Sequence, residues 1–272
     1  MRRFTLAHSP DADDAFMFHG LAAGKVDTGG WEVSHILSDI QMLNEQAEVG
    51  TYEVTAISFH AYAYVHEKYR LLAAGGSFGE GYGPIVVARE PVPSLRGRRV
   101  AVPGLKTSAY LLLKIYEPDF ELCVMPFDRI LPAVADETVE CGLLIHEGQL
   151  TYGESGLRRV VDLGEWWTRR TGLPVPLGGN AVRRDLGDDF ARLAERIIRD
   201  SVSYSLSHRE EALSHALSYA RGLGRATADR FVGMYVNQRT LDCGPDGWEA
   251  IRLLLRRGHE VGAIPFDPPG VP

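Results

Sequence analysis

Short apolar runs alternate with helical periodicity through the first two-thirds of this 272-residue chain. Residues 4–7 predict a strand, and residues 13–24 predict the helix that follows it. The same order repeats, with further strands predicted at residues 32–37 and 53–58. Strands that alternate with helices form mainly parallel sheets covered by helices on both faces, so the pattern predicts an α/β fold.

Two proline-rich segments, residues 89–93 and 171–176, interrupt this alternation, because proline cannot donate to a strand ladder. The strand and helix order restarts between them, and four amphipathic helices follow residue 183. We predict a two-lobed fold in which each lobe is a mainly parallel sheet flanked by helices. The larger, discontinuous lobe would comprise residues 1–90 plus 175–272, and the inserted lobe residues 91–174. A ligand cleft would lie between the lobes, where strand C-terminal ends and helix N-termini meet.

Composition excludes several classes of protein. The chain has 36 acidic and 29 basic residues, and its net charge of −7 argues against nucleic-acid or anionic-membrane partners. Three widely spaced cysteines without a CxxC motif predict neither disulfides nor a zinc site. The N-terminal apolar segment is too short for a signal peptide, which predicts a cytoplasmic protein. We predict no cofactor, and a homodimer is compatible with the sequence.

An acidic segment follows the first predicted strand and contains Asp11, Asp13 and Asp14. Its spacing is similar to that of a metal site, but it lacks the glycine and distant glutamate of a calcium loop. A carboxylate also caps a helix well and interacts favourably with its positive end. We therefore favour helix capping by Asp11 or Asp13 over metal binding.

Two strand-to-helix turns present hydroxyl groups. Ser58 ends one predicted strand, where ligand contact and simple capping are equally open. Residues 102–109 lack the second glycine of a phosphate loop, but they begin a helix with free N–H groups and two hydroxyls. Such a helix start suits a carboxylate, with capping alone as the alternative.

His146 ends an apolar predicted strand and is followed by Glu147 and Gly148. Histidine titrates near neutral pH, so one at a cleft mouth can serve as a general base. A lone histidine is more often structural, and that reading stays open on pattern alone. The histidines form no HExxH motif, so no metal is predicted.

Several motifs together resemble one family, the 1,4-dihydroxy-6-naphthoate synthases of the futalosine route to menaquinone. The resemblance extends from about residue 4 to residue 184. One departure lies at the start, where members often read Ser-Pro-Cys-Pro-Asn-Asp and this chain has aspartate at positions 11 and 13. The motifs occur in family-like order: Ser9-Pro10-x-x-x-Asp14-x-Phe16, Leu43-Asn44, Phe127-Asp128-Arg129-Ile130-Leu131-Pro132 and Ile145-His146-Glu147.

The resemblance implies a periplasmic-binding-protein-like fold and a lyase that cleaves cyclic dehypoxanthine futalosine to the dihydroxynaphthoate and a three-carbon fragment. It implies that His146 is the general base and that the helix start at Thr107 anchors the substrate carboxylate. The residues that it implies for substrate binding are Asn44, Ala56, Ile57, Ser58, Thr107, Ser108 and Ala109.

Two other functions are compatible with these features. Chorismate dehydratases share the implied fold, although the strand end at Ile145-His146-Glu147 fits the synthase better. A non-catalytic protein that binds a small anion is the second alternative, because solute-binding receptors also have this fold. The missing signal peptide argues against a receptor.

Overall fold

The computed structural model describes residues 2–220 and 224–271. The predicted domain ranges also include residues 1, 221–223 and 272, which lie outside the described residues. The described part of the chain forms these strands: β1 (Arg2–His8), β2 (Trp31–Leu37), β3 (Val54–Ser58), β4 (Tyr69–Leu71), β5 (Ser77–Gly79), β6 (Ile85–Ala88), β7 (Arg99–Val102), β8 (Glu121–Val124), β9 (Cys141–Leu144), β10 (Arg158–Asp162) and β11 (Val175–Arg183).

Helices connect and cover these strands. Two short 3-10 turns lie at Tyr152–Ser155 and Arg184–Leu186. The α-helices are α1 (Ala12–Met17), α2 (His19–Ala22), α3 (Ile40–Val49), α4 (Phe59–Val65), α5 (Ser108–Tyr116), α6 (Phe127–Ala135), α7 (Gly148–Thr151), α8 (Leu163–Thr171), α9 (Gly187–Ser207), α10 (Arg209–Leu217), α11 (Arg225–Tyr235), α12 (Gln238–Leu241) and α13 (Gly244–Glu260).

The strands form two sheets. The first has the order β2-β1-β3-β11-β4, with β5 also paired to β11, and the second has the order β10-β6-β9-β7-β8. In the first sheet β1 is parallel to β2 and β3, but β11 is antiparallel to each of its neighbours. In the second sheet β7 is parallel to β8 and β9, whereas β6 is antiparallel to β9 and β10.

Both sheets are therefore mixed, and the prediction of mainly parallel sheets is wrong in this detail. An apolar run reports that a strand is buried but does not report its direction. The strands that reverse the direction are the ones at the two crossings between the sheets. β6 enters the second sheet, and β11 returns to the first.

The first crossing lies earlier than the boundary predicted at residue 90. Because β6 pairs with β9 and β10, the chain leaves the first sheet between Gly79 and Ile85. The proline-rich segment at residues 89–93 follows β6 instead of marking the crossing. The crossing packs tightly against α8, since a Cβ on Gly164 would lie 2.0 Å from the carbonyl carbon of Tyr82.

A continuous hydrophobic core joins the two sheets on the side of α5 and α13. Its buried members include Ile57 of β3, Val100 of β7, Leu111 of α5, Trp167 of α8 and Leu254 of α13. A second cluster covers the other face of the first sheet with α1, α2 and the helices α9 to α11. The cleft between the sheets is therefore held by packing that both sheets share.

Within residues 2–220 and 224–271, every helix is too short or too polar to cross a bilayer.

Trp167 offers a test of this shared core. Its ring is fully buried and its Nε1 donates to the carbonyl oxygen of Pro174 at 3.0 Å. We expect Trp167→Ala to lower the free energy of unfolding by about 3–5 kcal/mol, because it leaves a large cavity and an unpaired carbonyl. Urea unfolding followed by circular dichroism measures the change.

The neighbouring Trp166 is the matched control for this prediction. It is only partly buried and packs edge-on against Tyr116, with ring centroids 5.3 Å apart. Trp166→Ala should cost less than half as much as Trp167→Ala. Equal losses in the two variants would contradict the assignment of Trp167 to the shared core.

Candidate active site

A cleft lies between the two sheets, where β1, β3 and β9 end and α5 begins. Its empty volume is about 800 Å³, part of which is open to solvent. Both sheets contribute to its walls. The lining residues are Ser9, Asp11, Asp13, Asp14, Met17, Ile40, Ala56, Ile57, Ser58, Gly75, Ser77, Pro84, Thr107, Ser108, Ala109, Ile145, His146, Gln149, Leu177, Gly178, Gly179, Asn180, Phe231 and Tyr235.

Seven of the eight site residues implied by the sequence line this cleft, and Asn44 is the exception. Asn44 is fully buried on α3 behind β3. Its Nδ2 donates to Ser58 Oγ at 3.1 Å, and its Oδ1 accepts from the Ser58 backbone N–H at 2.9 Å. Asn44 therefore positions Ser58 and does not itself face the cleft. The Ser58 hydroxyl accepts this bond and keeps its own proton for another partner.

The helix start at α5 is built from backbone groups. Thr107 caps the helix, since its hydroxyl accepts from the Tyr110 N–H at 3.2 Å and donates to the Gly104 carbonyl at 3.0 Å. This occupies the Thr107 side chain, so capping is its role at this turn. The N–H groups of Ser108 and Ala109 belong to the first turn, which has no acceptors of its own inside the helix. Both residues line the cleft, and backbone amides at a helix start suit an anion.

His60 joins this helix start to the first sheet. Its backbone N–H donates to Ser108 Oγ at 3.3 Å, and its ring Nδ1 lies 3.3 Å from the Thr107 carbonyl oxygen. Burial lowers the pKa of the His60 ring to about 4, so the ring is neutral near pH 7. A neutral ring adds no charge beside the first turn of α5.

His146 contacts a buried carboxylate from the other sheet. Its Nδ1 lies 3.1 Å from Oδ2 of Asp11, which is 1% exposed, while the His146 side chain is 17% exposed. The Ser9 hydroxyl donates to the same carboxylate oxygen. His146 has a positive φ of 53°, a conformation that non-glycine residues seldom adopt. Its ring packs edge-on against Phe127.

Asp11 occupies the N-cap position of α1, but its side chain makes no capping hydrogen bond. The predicted capping role is therefore wrong for this side chain, which turns towards His146 and Ser9 instead. The metal-binding alternative requires several ligands arranged around one point. Within residues 2–220 and 224–271, no group of three or more His, Cys, Asp or Glu side chains is arranged to hold a metal ion.

Gln149 contacts the backbone of His146, and Tyr235 contacts Gln149 in turn. Neither residue was predicted from the sequence. With the Gln149 amide oriented so that its nitrogen donates to the Gly83 carbonyl at 2.6 Å, its oxygen accepts from the His146 N–H at 3.2 Å. The same amide nitrogen lies 2.7 Å from the Tyr235 hydroxyl. Burial raises the pKa of Tyr235, so its hydroxyl keeps its proton.

Asp13 and Asp14 place two further carboxyls at the cleft. Burial, followed by the charges of Asp14 and Asp11, raises the pKa of Asp13 well above its ordinary value. Burial also raises the pKa of Asp14 to about 7, although the Ser9 N–H that it accepts at 2.7 Å opposes the shift. The charge of Asp11 acts in the same direction as burial. These carboxyls therefore hold protons more tightly than exposed ones do.

Asn180 also lines the cleft without having been predicted. It lies in β11 directly after Gly178 and Gly179, and it is 2% exposed. In the sequence, Asn180 is a single amide residue between two glycines and an apolar strand end. This pattern is typical of many strand positions and does not by itself indicate a binding residue. Only the pairing of β11 with β3 brings Asn180 beside Ala56.

Known proteins are similar to this chain along nearly its whole length. A family model described as menaquinone biosynthesis matches residues 4–260. The chain is 43% identical over 268 residues to a 1,4-dihydroxy-6-naphthoate synthase of Thermus thermophilus, covering 98% of each chain. It is 40% identical to a protein of the same name from Streptomyces coelicolor, covering 96% of this chain and 94% of the relative.

The chain belongs to this menaquinone biosynthesis family. The resemblance stated from the sequence motifs is thereby confirmed, as is the prediction of an enzyme of menaquinone biosynthesis. In the T. thermophilus and S. coelicolor relatives, the match extends through the C-terminal helices as well as the motif-bearing part.

Solved structures show the same fold. A crystal structure of an Archaeoglobus fulgidus protein is 48% identical, with a TM-score of 0.90 and 96% coverage of both chains. The alkanesulfonate-binding protein of Xanthomonas axonopodis has a TM-score of 0.75 at 10% identity, covering 98% of this chain and 95% of the other. The second likeness concerns the fold alone. The predicted periplasmic-binding-protein-like α/β fold of this family member is confirmed.

The raised pKa of Asp14 makes stability depend on pH. Between the ordinary value near 4 and about 7, the folded state binds more protons than the unfolded state, so stability falls as pH rises through this window. The substitution Asp14→Asn removes this pH-dependent loss of stability, and the asparagine side-chain oxygen can still accept the hydrogen bond from the Ser9 N–H. We expect the variant to melt above the wild type at about pH 8 and at the same temperature at about pH 4.

Differential scanning fluorimetry at both pH values measures this difference. Asp136→Asn, at an exposed position after α6, is the matched control and should change neither melting temperature. A gain of equal size at both pH values would contradict the linkage.

Proposed function

We propose that this protein converts cyclic dehypoxanthine futalosine to 1,4-dihydroxy-6-naphthoate and a three-carbon fragment, with His146 as the general base. The observation that carries the proposal is the contact between His146 Nδ1 and the buried Asp11 carboxylate in the cleft. The names of the T. thermophilus and S. coelicolor relatives support the product. The predicted cytoplasmic location and the possible homodimer stay predictions.

The Asp11 contact supports a single tautomer of His146. A carboxylate only accepts hydrogen bonds, so Nδ1 carries the proton that it accepts and Nε2 keeps its lone pair. Nε2 can then remove a proton adjacent to a carbonyl or hydroxyl of the substrate. The Asp11 charge stabilises the imidazolium that forms. A positioned base contributes about 10²–10⁴-fold to such a reaction.

The later steps follow from the substrate. Cleavage releases the sugar-derived piece, and formation of the aromatic naphthalene ring drives the reaction forward. The protonated His146 ring returns its proton to the leaving three-carbon fragment, which takes the electron pair of the broken bond, so the proposal needs no oxidant or reductant. Closure of the cleft would exclude water during these steps.

The start of α5 is the proposed anchor for the substrate carboxylate. The N–H groups of Ser108 and Ala109 carry the positive end of the helix dipole, and the Ser58 hydroxyl, which accepts from Asn44, donates to no acceptor among residues 2–220 and 224–271. Asp13 and Asp14 belong to α1 and lie beside Asp11, whose negative charge would repel a substrate carboxylate placed near them. A substrate carboxylate is therefore best placed at α5, which leaves the rest of the substrate nearer to His146.

The substrate is tested by incubating the purified protein separately with cyclic dehypoxanthine futalosine and with chorismate, with product mass as the readout. We expect 1,4-dihydroxy-6-naphthoate from the first compound and no change in the second. Dehydration of chorismate would indicate the related dehydratase instead. Binding of either compound without turnover would indicate a small-anion-binding protein.

His146→Ala tests the base. We expect kcat to fall by about 10²–10⁴-fold in a variant that still folds, although its melting temperature falls because the buried Asp11 carboxylate loses a donor. His208→Ala is the matched control, since that exposed ring lies on Tyr204 after α9, outside the lining of the cleft. Substantial residual turnover in His146→Ala would overturn the assignment.

Asp11→Asn tests how the base is held. The amide can accept from Nδ1 but supplies no charge to stabilise a protonated ring, so kcat should fall by roughly 10²-fold with little change in KM. Asp39→Asn is the control, because Asp39 caps α3 through an oxygen that asparagine also has. An unchanged kcat in Asp11→Asn would show that the carboxylate has no part in the reaction.

A further inference from the structure

Asn180 carries a buried acceptor that no described protein group satisfies. Its Nδ2 donates to the Gly75 carbonyl oxygen at 3.0 Å, which fixes the nitrogen end of the amide. The oxygen end of the amide, Oδ1, is buried and has no hydrogen-bond partner among residues 2–220 and 224–271. Burying a carbonyl oxygen without a donor is unfavourable. Because Asn180 lines the cleft, a bound ligand is the natural source of a donor.

The position of Asn180 relative to the anion site follows from the strand register. Asn180 is opposite Ala56, and Gly178 is opposite Ser58, in the antiparallel pair of β11 and β3. Two residues along a strand span about 7 Å. The free acceptor therefore lies roughly 7 Å along the sheet from the Ser58 end, a distance that one substrate molecule can bridge.

The polar groups of the cleft divide by type. Near α5 they are donors, namely the Ser58 hydroxyl and the amides of Ser108 and Ala109. Asn180 Oδ1 is an acceptor, so it cannot serve the substrate carboxylate. It fits a neutral O–H group. We propose that Asn180 accepts a hydrogen bond from a hydroxyl of the sugar-derived part of the substrate, an inference that rests on the proposed function.

The surroundings of Asn180 hold its amide in one place. A Cβ on Gly75 would lie 2.3 Å from Asn180 Nδ2, so only glycine fits opposite the amide. Gly75 also has a φ of 80°, and its N–H donates to the Thr240 carbonyl at 2.7 Å. An acceptor fixed in this way discriminates strongly against a ligand that lacks the matching donor.

A purely structural role is the competing explanation, since Asn180 also ties Gly75 to β11. The two roles differ in how they respond to a change in the substrate. If Asn180 contacts a hydroxyl, then removing the side chain and removing that hydroxyl delete the same interaction, and their effects do not add. If Asn180 only supports Gly75, the two effects are independent.

The experiment compares wild type and Asn180→Ala on cyclic dehypoxanthine futalosine and on analogues that lack one sugar-derived hydroxyl each. Turnover of the intact compound by the wild type is measured first and tests the proposed function by itself. Melting temperatures confirm that the variant is folded. Asn237→Ala, at the N-cap of α12 and outside the lining of the cleft, is the matched control.

We expect Asn180→Ala to raise KM about five- to tenfold for the intact compound, as loss of one hydrogen bond predicts. For one deoxy analogue, the difference between variant and wild type should shrink to within about twofold. A rise in KM of equal size for every analogue overturns the contact and assigns Asn180 a structural role. Failure of the wild type to convert the intact compound overturns the proposed function and this inference together.

Discussion

The contact between Asp11 and His146 imposes the strongest constraint on the arrangement of the two sheets. A carboxylate that is 1% exposed is costly unless donors surround it, and here the donors are the Ser9 hydroxyl and the His146 ring. Asp11 follows β1 of the first sheet, whereas His146 follows β9 of the second. The ends of these strands must therefore face each other across a narrow cleft. The shared core below α5 and α13 holds them in that position.

The antiparallel return of β11 gives the cleft its remaining wall. In a parallel sheet only strand C-terminal ends meet at the ligand-binding edge. Because β11 is antiparallel to β3, residues 178–180 lie beside Ala56, Ile57 and Ser58 instead of at the far edge. The mixed sheet therefore adds two glycines and an amide to a site that parallel strands alone would not supply. The feature that departs from the predicted fold is thus one that completes the cleft.

The sequence predicted the parts of the site that follow a strand directly. This was how the sequence predicted Ser58, the turn at residues 107–109 and His146. An apolar run that ends in polar residues can be recognised from the sequence alone. The role of Asp11 was not predictable, since its N-cap position is the same whether its side chain caps α1 or turns to His146. Gln149 and Tyr235 come from short or distant helices, and only the folded chain brings them together. The boundary at residue 90 was misplaced because proline marks the end of a strand as readily as a crossing between lobes.

The two halves of the proposed reaction depend on different kinds of groups. The proposed anion site at α5 consists mainly of backbone amides, whose direction is set by the helix and by the Thr107 cap. The proposed base depends on side chains, since Asp11 would fix the tautomer of His146 and Gln149 contacts its backbone. A fold of this kind can therefore still bind a carboxylate at α5 when the residues at the end of β9 are substituted. The positive φ of His146 is consistent with this dependence on side chains, because a strained backbone conformation persists only where neighbouring groups hold it. The residues that hold His146 are Asp11 and Gln149, and both line the cleft.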